Sequence, residues 1–104
     1  MEEKIMKKID FSKIVVKDIE GNPYRVQQGK EIVEYDFCKP LGNTLFYTSK
    51  DIRLSEIGQK IYHHEAVELT DEEIKAVREV INSAFVAFVL MSVNPQLDEL
   101  LNEV

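Results

Sequence analysis

The chain has 104 residues, 44% of them apolar and 31% charged, and a net charge of −6. This is the size of one domain with a single core, and a composition that excludes a disordered or fibrous protein. The longest apolar run, Ala84–Met91, falls far short of the ~18 residues a membrane helix requires, and Cys38, the single cysteine, excludes an internal disulfide and fits a reducing compartment.

The charge is unevenly placed. Residues 1–50 carry nine Lys/Arg and eight Asp/Glu, whereas residues 51–104 carry four basic and eleven acidic side chains. A grip on a phosphate backbone needs clustered positive charge, so no nucleic-acid partner is expected. Residues 1–104 read as a single domain, with 1–10 as a flexible arm that has no apolar secretion-signal core. The expected location is cytoplasmic, with no membrane partner.

In chain order, Ile14–Ile19 is rich in β-branched residues and ends in the turn signal Glu20-Gly21-Asn22-Pro23. Tyr24–Gln28 alternates apolar and polar residues, as a returning hairpin strand would. Lys30–Phe37 fits either a strand or a helix, and a third strand is preferred. Pro40 suits the first residue of a short helix over 40–47, weakened by Gly42. Ser49 or Asp51 can cap a second helix with the apolar stripe Leu54, Ile57, Gly58, Ile61 and Tyr62, ending near His64. The expected fold class is therefore α+β: a small N-terminal antiparallel hairpin or sheet of two or three strands on three to four C-terminal helices.

Thr70-Asp71-Glu72-Glu73 has the form of a capping box, with acids at the positive end of the helix dipole. It predicts a long helix from Asp71 to about Val93, where Asn94-Pro95 should stop it and open a last helix carrying Leu97, Leu100, Leu101 and Val104. On a wheel, Ile74, Val77, Val80, Ile81, Ala84, Phe85, Phe88 and Met91 share the arc expected to pack on the sheet. The opposite arc is polar at first, with Lys75, Arg78, Glu79, Asn82 and Ser83. It then turns apolar, with Val86, Val89, Leu90 and Val93. Burial of each such side chain is worth roughly 1.5–3 kcal/mol, so something must cover them. Either the last helix folds back, or a second copy packs on Val86, Val89, Leu90, Val93, Leu97, Leu100 and Leu101. The short Asn-Pro junction favours the second copy.

Chemistry-bearing patterns are sparse. The side chains of His63 and His64 would diverge on a helix, and no third ligand stands at a metal-site spacing. Cys38 has no histidine in a recognisable relation to it and reads as a small buried hydrophobe. The acids after Thr70 are explained as helix-start chemistry, and the four glycines form no phosphate-cradling loop. No catalytic residues, metal or cofactor are therefore expected, and the chain does not read as an enzyme.

The order of Ile14–Gly21 (IVVKDIEG), Leu41–Tyr47 (LGNTLFY), Ile61-Tyr62 and Val67–Glu73 (VELTDEE) resembles that of short proteins of unassigned function encoded in bacterial prophages and other mobile elements. The resemblance carries no catalytic residues and implies an accessory or assembly role. The expected function is that of a structural or interaction protein that self-associates through its C-terminal helices. The alternative is an acidic binding module or inhibitor that occupies a basic surface on another protein.

Overall fold

Residues 6–102 are described by a computed structural model. They form β1 (Lys7–Ile9), β2 (Arg25–Gln28), β3 (Glu31–Glu34), α1 (Cys38–Thr48), α2 (Ile52–Tyr62), β4 (Val67–Leu69), α3 (Asp71–Ala84) and α4 (Ala87–Asn102), an α+β fold. Met1–Ile5, half of the expected arm, and Val104 of the expected last helix lie outside the described residues.

Residues 7–10 are not an arm. Strand β1 pairs antiparallel with β4, Lys7 opposite Leu69 and Ile9 opposite Val67. The two-residue period turns Ile9, Val67 and Leu69 into the core and sets Lys8 across from Glu68 outside. The Asp10 carboxylate then accepts from the Ser12 amide and caps a single 3-10 turn, Phe11–Lys13, whose Phe11 is buried.

The expected hairpin between Ile14–Ile19 and Tyr24–Gln28 is displaced. The hairpin proper joins β2 to β3, with Arg25 opposite Glu34 and Gln28 opposite Glu31. Gly29, at φ +64°, supplies the left-handed residue of its two-residue turn. The segment 14–17 keeps one bridge, Lys17 to Pro23, and a bond from the Tyr24 amide to the Val16 carbonyl. Three of its other backbone groups turn to α4. The Val15 amide donates to Gln96 Oε1 (2.9 Å), Gln96 Nε2 donates to the Val15 carbonyl (2.6 Å), and the Lys17 amide donates to Ser92 Oγ (2.9 Å). Two polar side chains four apart on one helix thus take the place of a missing strand.

Helices α1 and α2 form an antiparallel pair joined by Ser49–Asp51, and the Asp51 carboxylate caps α2 through the Arg53 amide (2.9 Å). The two backbones meet at glycines. A Cβ on Gly42 would lie 2.7 Å from the Gly58 carbonyl oxygen, and one on Gly58 would lie 2.7 Å from Leu45 Cβ. This approach lets Leu41, Leu45, Ile57 and Ile61 reach full burial. Helix α2 ends in a Schellman turn: the His64 amide donates to the Ile61 carbonyl, the Glu65 amide to the Lys60 carbonyl, and His64 takes φ +62°.

The Thr70 capping box forms as read, with the Glu73 amide donating to Thr70 Oγ1 (3.2 Å) and the Thr70 amide to Glu73 Oε1 (2.9 Å). The long helix does not run to Val93. It breaks at Phe85, whose backbone is extended (φ −112°, ψ 151°), and α4 continues through Asn94-Pro95. At the break, Ser83 Oγ donates back to the Glu79 and Val80 carbonyls, an alternative to helical propagation, and the Phe85 ring packs on Phe37 at 5.0 Å. The reversal sets α4 against α3, tied by Arg78–Asp98 (2.7 Å) and Asn82–Asn94 (3.2 Å). Pro95 is exposed, and the Ser92 carbonyl beside its gap in the ladder accepts from Gln96 Nε2 (2.9 Å).

Two outcomes follow. Alanine has the higher helix propensity by about 1 kcal/mol, yet Gly42→Ala and Gly58→Ala are each expected to lower unfolding free energy by about 1–3 kcal/mol in urea titrations, because backbone atoms must move. Burial pushes the Glu73 carboxyl up, but the Thr70 amide and the Arg53 guanidinium (3.0 Å) outweigh it and hold the group below its ordinary 4.5. A lowered folded value contributes stability above that pH and loses it as pH falls through the folded value. The stability gap between wild type and Glu73→Gln should therefore be full near neutrality and shrink below pH 4.5, which acid-series thermal melts would read.

Candidate functional site

The break at Phe85 resets the helical phase, and this relocates the expected interface. Val89, Val93 and Leu97 are core residues, exposed by 4%, 0% and 1%. Leu90, Leu100 and Leu101 pack partly buried against that core, and only Val86 stands well out in solvent. The cover that a second copy was expected to provide comes from the chain itself, because all of α4 folds back, not just the part after Pro95. Conversely, Phe88 and Met91, expected on the packed arc, are exposed by 42% and 77%.

These two side chains do not stand alone. Together with Ile19 and Tyr24 they line a groove of about 690 Å³, with Lys17, Asp18 and Ser92 along its rim. Tyr24 holds Phe88 edge-on at 5.2 Å and leans on Tyr35 at 5.6 Å. Ile19 sits on the turn closed by the Asp18 carboxylate, which accepts from the Glu20 and Asn22 amides, and its side chain is wholly exposed. An apolar residue at the tip of a tied turn, beside an apolar helix face, forms a small continuous patch.

A second constellation lies at the other side of Tyr24. Asp36, just before α1, accepts from the Cys38 amide through Oδ1 (3.1 Å) and meets His64 Nε2 through Oδ2 at 2.5 Å. A carboxylate only accepts, so Nε2 carries the proton in this pair. Ligand atoms of Asp36, Cys38 and His64 lie within 4.8 Å of one another. Cys38 is 1% exposed, and burial, then the charges of Asp36 and Asp10, push its thiol up to about 12. With its thiol pushed up this far, Cys38 is protonated at neutral pH. The three residues border a pocket of about 270 Å³ that Tyr24, Glu34 and Tyr35 also line.

Cys38 thus has a histidine neighbour after all. Its origin is topological: two antiparallel helices joined by a short loop bring the start of the first to the end of the second. The expectation that His63 and His64 diverge holds, since His63 stacks edge-on against Tyr62 at 5.3 Å while His64 turns to Asp36. No helix among the described residues is long and apolar enough to cross a membrane. Neither a protein-family model, nor a curated protein, nor a solved structure matches the chain.

Proposed function

We propose that this chain is a non-enzymatic interaction protein that self-associates through the outward face of α4 and the neighbouring turn. The observation that carries the reading is the exposure of Ile19, Phe88 and Met91 around partly buried Tyr24. A second copy suits the surface for a geometric reason. Ile19 is a projecting apolar knob, and the groove lined by Tyr24, Phe88 and Met91 is an apolar hole in the same patch. A twofold contact needs such self-complementarity, each knob entering the partner's hole. The rim is locally neutral, because Lys17 and Asp18 carry opposite signs. An accessory or assembly role in a prophage, implied by the sequence resemblance, belongs to the same proposal.

Light scattering after size exclusion at tens of micromolar should give the mass of a dimer. Met91→Asp and Ile19→Asp should each give a monomer with unchanged far-ultraviolet circular dichroism, because neither side chain is packed in the core. Val89→Asp should behave differently, losing about 3 kcal/mol or more of stability, because it buries an unpaired charge. A monomeric wild type would sink the proposal.

A further inference from the structure

We infer that Asp36, Cys38 and His64 form a zinc site with three protein ligands and a fourth position open to the pocket beside them. The donor set carries the choice of ion. A thiolate and an imidazole favour zinc over the hard cations, and a carboxylate completes a set common at zinc centres. Two ligand charges balance the dication, so the loaded site is neutral where Cys38 is buried.

The geometry is close to what the ion requires. Bond lengths of about 2.3 Å to sulfur and 2.0–2.1 Å to nitrogen place tetrahedral ligand atoms roughly 3.3–3.6 Å apart. The three donors already lie within 4.8 Å of one another, and the His64–Asp36 pair at 2.5 Å has only to open. The change is one of side-chain torsion, with the backbone left in place. The Cys38 amide holds the second Asp36 oxygen at 3.1 Å, which fixes that carboxylate from behind as outer-shell donors do at metal centres. The pocket of about 270 Å³ leaves room for a water on the open position, with Glu34 and Tyr35 as its polar neighbours.

His64 occupies a position that glycine would fill at lower conformational cost, the left-handed residue of a Schellman turn. Its imidazole is the only part of that residue the turn does not need, and it faces the other two donors. This provides a variant that separates binding from folding, since His64→Gly removes a ligand while relaxing the backbone.

The test uses the full metal-free chain, titrated with zinc against a chromophoric chelator and, separately, with cobalt as a spectroscopic probe. Binding of one ion per chain is expected, with thiolate-to-cobalt charge-transfer absorption and a zinc-dependent rise in Tm. Cys38→Ser should abolish the charge-transfer band, and Asp36→Asn and His64→Gly should weaken zinc binding by at least about tenfold. The metal-free His64→Gly protein should melt within a few degrees of wild type, since relief of the left-handed backbone offsets the lost bond to Asp36, so its lost affinity is not lost folding. Absence of the band in the wild type, or its persistence in Cys38→Ser, would overturn the site.

Discussion

The contact between Gly42 and Gly58 sets the relative position of Asp36, Cys38 and His64. Where a Cβ on either glycine would fall 2.7 Å from atoms of the other helix, the two backbones are as close as helices pack. Because α1 and α2 are antiparallel, their closeness at the crossing carries to their ends. The start of α1, with Asp36 and Cys38, comes to lie against the end of α2, with His64. A larger residue at the crossing would separate those ends as well as the helices. The same pair presents Leu41, Leu45, Ile57 and Ile61 to the core, against Val77 and Ile81 of α3.

Local chemistry was legible in the sequence wherever the cause is local. Thr70 and Glu73 satisfy each other's amides within four residues, and Asp51 caps α2 through an amide two residues on. Such contacts need no knowledge of the rest of the fold: they place the start of α3 at Asp71, and of the two caps open to α2, Ser49 and Asp51, it is Asp51 that serves. The apolar stripe of α2 is likewise a property of one helix, and Ile57, Gly58 and Ile61 are buried. Long-range partners are a different matter. Nothing near Val15 or Lys17 announces that Gln96 and Ser92 will take their backbone bonds, 81 and 75 residues away. Cys38 and His64 are separated by two whole helices, so only the topology joins them.

The misplaced break shows how strong signals can mislead. Asn94-Pro95 is the most conspicuous interruption in the last third of the chain, yet the helix passes through it and stops instead at Phe85, where no glycine or proline stands. The energetics explain the order of preference. A proline in a helix interior costs about 3 kcal/mol, in part through the lost bond to the carbonyl four residues before it, and here Pro95 lies on the exposed side of α4. Extending the helix straight past Phe85 would instead leave Val89, Val93 and Leu97 uncovered, at roughly 1.5–3 kcal/mol each. Reversal at Phe85 buries all three and adds the contact of its ring with Phe37. Tertiary burial outweighs the local signal, and the helical phase after the break changes with it.

That change of phase is also what creates an apolar surface. With Val89, Val93 and Leu97 turned inward, the opposite side of α4 carries Phe88 and Met91, which line a groove with Lys17, Asp18, Ile19 and Tyr24. Tyr24 stands between the two sites, since it lines the groove with Phe88 and the pocket with Asp36, Cys38 and His64. Its ring is held on one side by Phe88 and on the other by Tyr35, the residue next to Asp36. A displacement of this ring by an occupant of either site therefore changes the wall of the other. By linkage, any preference one occupant has for a given position of Tyr24 must be returned in the affinity of the second.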